Sequence, residues 1–106
     1  MPKQQSNVKE RVHTGLKEPD MYRVIMHNDD ITTMEFVVDM LRTVFFKPEA
    51  EAQALMLTVH QKGKAVIGTY SLDIAVSKSQ KAMSMAREQG FPFKLTWEPV
   101  PDDLPF

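Results

Sequence analysis

The chain has 106 residues, enough for one domain with one modest hydrophobic core. Its formal net charge is −1, from 13 basic and 14 acidic side chains, so no overall positive field favours nucleic acid. The absence of cysteine excludes thiol catalysis, disulfides and cysteine-based zinc sites. No apolar run approaches the roughly 18 residues of a membrane helix, and the opening segment MPKQQSNVKERVH lacks the apolar stretch of a secretory signal. We therefore expect a cytoplasmic protein with no nucleic-acid or membrane partner.

The two ends of the chain differ from its middle in composition. Residues 1–20 are polar and charged and carry too little apolar surface to bury, which predicts a flexible N-terminal extension. Residues 99–106 contain three prolines, which predicts an extended C-terminal tail. The core domain is therefore expected within residues 21–98, and it opens with the β-rich strand MYRVIMH at residues 21–27.

Two helices are predicted after this strand. Thr32 and Glu35 match a T-x-x-E capping box, in which the threonine and glutamate side chains each satisfy a backbone N–H at a helix start. Apolar residues then recur at helical spacing as far as Phe45. Pro48 suits the first position of a second helix, and Gly63 can end it.

The remaining pattern completes an α+β domain. AVIGTY at residues 65–70 predicts a second strand, residues 71–90 a third helix closed by Gly90, and FKLTWE at residues 93–98 an alternating third strand. The predicted order is βααβαβ. A single domain with this order favours three helices packed on a small, three-stranded, mostly antiparallel sheet.

Asn28, Asp29 and Asp30 form a polar junction between the first strand and the first helix. By itself this pattern is typical of a solvated Asx turn. Two carboxylates near a helix start also disfavour an anion as a ligand and suit a cation instead.

An apolar cavity could lie beside this junction if the first two helices form a hairpin. Its walls would come from apolar side chains of both helices: Met34, Val37, Met56 and Val59. His60, one turn after Met56, would stand at the rim with Asn28 and Asp29. The spacing alone favours the simpler interpretation, in which these side chains only fill the core.

Two stretches, YRVIMHNDDITTMEFVVDML and ALMLTVHQKGKAVIG, resemble the ClpS family of adaptors. These adaptors deliver N-degron substrates to the bacterial ClpAP protease. The similarity extends from about Glu18 to Glu98. Two residues depart from the family pattern: Ile31 stands where an aromatic residue is common, and Thr33 where proline is frequent.

The resemblance implies a ligand and a site. The ligand is a protein N-terminus bearing Leu, Phe, Tyr or Trp. Its α-ammonium is expected to contact Asn28 and His60, while Asp29 and Asp30 supply negative potential and hold the peptide backbone. The walls and mouth of the side-chain pocket are expected from Thr32, Met34, Val37, Met56, Val59 and Phe93. Met34 is also expected to exclude β-branched Val and Ile.

The resemblance further implies a partner surface. Asp73 and Lys78 on the third helix match positions that contact the N-terminal domain of ClpA, although without the resemblance they are ordinary solvated charges. Residues 1–20 correspond to an extension that engages the unfoldase. We expect a monomeric adaptor with no cofactor and no enzymatic activity.

Two other classes of function fit the residues without the resemblance. An enzyme could use Asp29 or Asp30 with His60 as acid and base, although no motif supplies a reacting centre. A metal site could use His27, Asp29 and His60 as nitrogen and oxygen ligands. The three hypotheses differ in turnover, in sensitivity to chelators and in binding of a Leu-initiated peptide.

Overall fold

A computed structural model describes residues 20–101, so almost all of the predicted N-terminal extension and residues 102–106 of the predicted tail lie outside it. The strands are β1 (Tyr22–His27), β2 (Lys64–Tyr70) and β3 (Lys94–Pro99). The helices are α1 (Met34–Thr43), α2 (Glu49–Lys62) and α3 (Leu72–Glu88). The predicted order βααβαβ is confirmed, with strand boundaries shifted by one residue.

The sheet is antiparallel throughout, with β1 in the centre and the order β2-β1-β3. Met26 of β1 lies opposite Ala65 of β2 and Leu95 of β3, and these three side chains share the buried face. The pairing of β1 with β2 shifts register between Val24 and Ile25, which marks a bulge in the β2 strand. Because β1 is the central strand, its last residue and the polar junction after it lie in the middle of one end of the sheet.

The three helices cover this buried face and enclose one hydrophobic core. Helices α1 and α2 form the expected hairpin, and α3 packs against all three strands. Residues with no exposed surface lie at the centre: Val24, Met26, Met40, Leu41, Ala52, Ala75, Ala82 and Ala86. Small alanines on α3 allow that helix to approach the sheet closely. Within residues 20–101, no helix is both long and apolar enough to cross a membrane.

The start of α1 corrects the predicted capping box. Thr33, and not Thr32, is the N-cap: its backbone is extended and its hydroxyl oxygen accepts from the Phe36 N–H at 3.1 Å. Thr32 lies in the preceding turn, where its N–H and its hydroxyl both donate to the Asp29 carboxylate. This local Asp29–Thr32 contact holds the Thr32 side chain at the junction, one residue before the cap.

Helix α2 begins and ends close to the predicted residues, with one change. Pro48 is the N-cap of α2 and not, as predicted, its first residue, which is Glu49. Gly63 ends the helix in the left-handed conformation, with φ of 90°, and its N–H donates to the Val59 carbonyl at 2.9 Å. β2 begins at the next residue, so Gly63 reverses the chain directly from helix into sheet.

Candidate ligand pocket

A pocket of about 230 Å³ opens beside the β1–α1 junction and reaches between α1 and α2. It is lined by Asn28, Asp29, Asp30, Thr32, Met34, Val37, Met56, Val59 and His60. The volume is below the roughly 300–1,000 Å³ typical of sites for drug-sized ligands. It therefore suits a group as small as a single amino-acid side chain.

Backbone pairing brings the two halves of the rim together. The β1–β2 ladder ends at the pair His27–Lys64, and the next N–H along β1, that of Asn28, donates to the Gly63 carbonyl at 2.9 Å. Gly63 directly follows the last turn of α2, which carries His60. Asn28 and His60, far apart in the chain, thus meet at one rim because a glycine allows the helix to turn straight into the sheet.

Asp29 organises the junction from within. Its Oδ1 accepts from the N–H groups of Ile31 and Thr32 at 2.8 and 2.7 Å, and its Oδ2 accepts from the Thr32 hydroxyl at 2.8 Å. Partial burial acts to raise the pKa of Asp29, but the hydrogen bonds from Thr32 and Ile31 outweigh it and hold the pKa below its ordinary value. The predicted Asx turn is therefore present, and its carboxylate also lines the pocket.

The polar and apolar parts of the pocket are separated. Asn28, Asp30 and His60 are exposed at the rim, whereas Val37, Met56 and Val59 are buried walls. Met34 stands between the two groups, because it lines the pocket and yet is 46% exposed. The arrangement offers acceptor oxygens and an imidazole ring to a cationic group and an apolar chamber to the group attached to it.

Phe93 is not among the residues that line this pocket. Its ring packs edge-on against the Phe36 ring, with centroids 5.9 Å apart, and its side chain is buried. Phe93 shares the inward-facing alternation of β3 with Leu95, which directs it into the core beneath α1. The expected contribution of Phe93 to the pocket wall is therefore not met in this structure.

The three residues of the metal-site hypothesis, His27, Asp29 and His60, do not gather in the described part of the chain. Nε2 of His27 lies 2.8 Å from the Thr96 hydroxyl, a contact with β3 and not with the junction. Among residues 20–101, no three His, Cys, Asp or Glu side chains gather as a metal ion would require. Of the two carboxylates in the acid–base hypothesis, that of Asp29 is already engaged by three hydrogen bonds, and those bonds hold its pKa below the ordinary value.

The predicted partner residues on α3 have different surroundings. Asp73 is exposed in the first turn of the helix. Lys78 is partly buried, and its Nζ donates to the Val44 carbonyl at 2.8 Å. The same Nζ lies 4.5 Å from the centroid of the Phe46 ring. Lys78 is thus not an ordinary solvated charge, and a contact of this kind with the α1–α2 loop could not be inferred from its sequence neighbours.

A small α+β domain with one amino-acid-sized pocket and a separate, ordered cationic group defines a binding module. Residues 17–96 match the family described as ATP-dependent Clp protease adaptor protein ClpS. The ATP-dependent Clp protease adapter protein ClpS of Acetivibrio thermocellus is 50% identical over 92 residues, covering 87% of this chain and 93% of that protein. The ClpS of Desulforapulum autotrophicum is 45% identical over 96 residues, covering 87% and 92%. The chain belongs to the ClpS family.

A solved structure agrees with this assignment. Agrobacterium tumefaciens ClpS2, bound to L-phenylalaninamide, has a TM-score of 0.76 and 38% sequence identity, and the match covers 78% of this chain and 100% of that one. The predicted fold class and family are both confirmed. As a member of the family, the protein is an adaptor of the Clp protease, a role that involves a Clp ATPase and substrate proteins as partners.

Proposed function

We propose that this adaptor binds proteins whose N-terminal residue is Leu, Phe, Tyr or Trp and delivers them to the ClpA unfoldase of ClpAP. The observation that carries the proposal is the pairing of a polar rim with an apolar chamber in one small pocket. The ligand of the Agrobacterium structure, L-phenylalaninamide, has a free α-amine beside a phenyl ring. Both groups have counterparts in the pocket of this chain.

The rim supplies what an α-ammonium requires. The ammonium is a compact cation with three N–H donors, and it needs acceptors in a small space. The Asn28 amide oxygen and a ring nitrogen of His60 act as two acceptors, and the exposed Asp30 carboxylate contributes negative potential. The Thr32 hydroxyl proton is donated to Asp29, which leaves its oxygen lone pairs available as a further acceptor. An internal or acetylated residue lacks the ammonium and leaves these groups unpaired.

The chamber selects the side chain of the first residue. Val37, Met56 and Val59 provide a buried apolar lining, which suits leucine and flat aromatic rings. Methionine is unbranched and polarizable, so Met34 and Met56 can adapt to ligands of different shape. Met34 lines the half-exposed mouth of the pocket, which supports a role for its side chain in disfavouring ligands branched at Cβ, such as Val and Ile.

Delivery requires a second surface that remains free when the pocket is filled. The residues that line the pocket belong to the β1–α1 junction, α1 and α2, whereas Asp73 and Lys78 belong to α3. The two surfaces come from different elements, so a substrate and an ATPase can bind at the same time. We propose that Asp73 and Lys78 contact the N-terminal domain of ClpA, and that the adaptor acts as a cytoplasmic monomer.

The test compares a Phe-initiated peptide with its N-acetylated form by fluorescence anisotropy. Each hydrogen bond to a charged group is worth about 1.5–3 kcal/mol, so acetylation is expected to weaken binding at least about tenfold. Equal affinities would contradict N-terminal recognition. Delivery is tested separately: with ClpAP present, the adaptor should accelerate degradation of a Phe-initiated reporter and not of its Met-initiated control.

A further inference from the structure

Phe46, in the loop between α1 and α2, combines two unfavourable properties. It has a φ of 56°, the only positive φ of a non-glycine residue within the described part of the chain. In this left-handed region the side chain of an L-residue is crowded against its own backbone, which is why Gly and Asn predominate there. The ring is also 76% exposed, the largest exposed fraction among the large hydrophobic residues of the described chain. Neither the backbone conformation nor burial of the ring therefore accounts for a phenylalanine at this position.

The strained backbone places the Phe46 ring against the ammonium group of Lys78. Nζ of Lys78 lies 4.5 Å from the ring centroid, within the range of a cation–π interaction, and 5.9 Å from the ring centroid of Phe45. The Val44 carbonyl accepts from the same Nζ at 2.8 Å. The Lys78 side chain of α3 thus lies against three consecutive residues of the α1–α2 loop: Val44, Phe45 and Phe46.

The charge of Lys78 is positioned without being neutralised. The two neighbouring cations of this region are paired, Arg42 with Glu49 at 3.2 Å and Lys47 with Glu51 at 3.3 Å. Lys78 forms no ion pair with any residue between 20 and 101. Its immediate partners are a carbonyl dipole and a ring face, which orient the ammonium and leave its net charge for an external carboxylate.

We propose that Phe46, Ile74 and Lys78 form a docking patch for the Clp ATPase, with Phe46 as a specificity residue that holds the Lys78 ammonium and contacts the partner. Ile74 lies one helical turn before Lys78 on α3 and is 44% exposed, so it extends the same face with apolar surface. The inference rests on the proposed delivery function. It adds to that function a residue outside α3 and the chemistry of the partner.

The occupant follows from charge complementarity. A partner surface that fits the patch presents a carboxylate to Lys78, with an apolar side chain beside it to cover Phe46 and Ile74. Desolvating the ammonium on binding strengthens both the ion pair and the cation–π contact, because each is weak in water. Aromatic residues, phenylalanine among them, are enriched at the buried cores of protein interfaces, and a covered Phe46 would match that pattern.

The decisive variant is Phe46→Asn in the full chain. Asparagine adopts the left-handed conformation readily, so the thermal midpoint should equal or exceed that of the natural chain. Affinity for the ClpA N-terminal domain, measured by isothermal titration, should fall about tenfold or more, while affinity for a Phe-initiated peptide stays unchanged. Phe46→Tyr keeps the ring and should retain ATPase binding. Lys78→Met should weaken it by a similar factor, and Phe46→Asn should weaken it less in the Lys78→Met background than in the natural chain.

Each result has a distinct meaning. Unchanged ATPase binding by Phe46→Asn would overturn the patch while leaving delivery intact. The same conclusion would follow if the losses of binding free energy caused by Phe46→Asn and Lys78→Met simply added in the double variant. If the natural chain itself fails to bind the ATPase, the proposed function fails first, and light scattering then shows whether the patch instead joins two copies of the chain. Phe46-dependent dimers would likewise overturn the ATPase assignment. A selective loss of ATPase affinity with retained stability and peptide binding would support it.

Discussion

The N–H of Asn28 donates to the carbonyl of Gly63 at 2.9 Å, one step beyond the last ladder pair of β1 and β2. This bond fixes the residue that opens the polar junction against the residue that ends α2. Through it, the position of the Asn28 side chain depends on the geometry of a helix C-terminus more than thirty residues away in the chain. The rim of the pocket is therefore a product of the turn at Gly63.

Replacing Gly63 with alanine should weaken both the fold and the pocket. At φ of 90° no heavy atom lies within 4 Å of an added Cβ, so the cost is backbone strain without a steric clash. We expect a loss of about 1–2 kcal/mol in the free energy of unfolding, measured by urea titration. If the turn relaxes, the Asn28–Gly63 bond is distorted and Phe-peptide affinity should fall severalfold.

Gly90→Ala is the matched control for this change. Gly90 also has a positive φ, 80°, with no heavy atom within 4 Å of the added Cβ, but it follows α3 and does not line the pocket. A similar loss of stability with unchanged peptide affinity is expected. Equal effects of the two variants on peptide binding would show that Gly63 acts through global stability only.

Asp29 should contribute to stability in a pH-dependent way. Because its folded pKa is lowered, the stabilisation is present above the ordinary carboxyl pKa, about 3.9, and is lost as the pH falls through the folded pKa. Asp29→Asn removes the charge that holds Thr32 and Ile31 and should cost about 1 kcal/mol at pH 7. The difference from the natural chain, measured by urea unfolding between pH 2.5 and 7, should shrink below about pH 4.

Asp30→Asn provides the comparison within the same loop. The Asp30 carboxylate is exposed, and no hydrogen bond within residues 20–101 engages it. Its substitution should change the free energy of unfolding by less than about 0.5 kcal/mol. A loss as large as that of Asp29→Asn would mean that negative charge near the start of α1, and not the Asp29 hydrogen bonds, provides the stabilisation.

The helices and strands were predictable because their apolar periodicity is strong, and because Gly63 and Gly90 are typical helix terminators. The start of α1 was not, since Thr32 and Thr33 are equally good caps by type. Their contacts differ: Asp29 accepts from the N–H and the hydroxyl of Thr32 and holds it in the turn before the helix, whereas the Thr33 oxygen accepts from the Phe36 N–H. The position of the cap therefore depends on the turn that Asp29 forms, which the T-x-x-E pattern does not include.

The pocket was predictable only with the help of the family resemblance. Residue spacing predicted which side chains share a helix face, but it could not distinguish a chamber from a filled core. Phe93 shows the limit: the alternation of β3 predicted that it faces inward, whereas only the packing of Phe36 decides that it fills the core and does not reach the pocket. The left-handed backbone of Phe46 carried no sequence signal, because phenylalanine rarely adopts a positive φ.

Met34 should act as the gate against β-branched residues. Met34→Ala removes the half-exposed side chain at the pocket mouth, so Ile- and Val-initiated peptides should gain affinity relative to Leu by about three- to tenfold. Isothermal titration gives the Leu-to-Ile ratio directly. Leu57→Ala is the control, because Leu57 is 47% exposed on α2 and does not line the pocket. An unchanged ratio in Met34→Ala would assign selectivity to the buried walls instead.

Peptide binding should also have an acid limit set by His60. The proposed contact requires a neutral imidazole that accepts from a charged ammonium. Falling pH adds a proton to an imidazole, and rising pH removes one from an α-ammonium. Affinity should therefore pass through a maximum as the pH rises. At lower pH an imidazolium at the rim repels the ligand, and at higher pH the ligand loses its charge.

The measurement is Leu-peptide affinity from pH 5 to 9 for the natural chain, His60→Gln and His27→Gln. Glutamine keeps an acceptor at position 60 but does not titrate, so His60→Gln should bind somewhat more weakly at neutral pH and lose the acid limb. His27→Gln should retain the full profile, since His27 contacts Thr96 on the sheet and does not line the pocket. Both variants should keep the alkaline limb, which belongs to the ligand amine. An acid limb that persists in His60→Gln would show that another group of the rim receives the proton, and that His60 is not the acceptor.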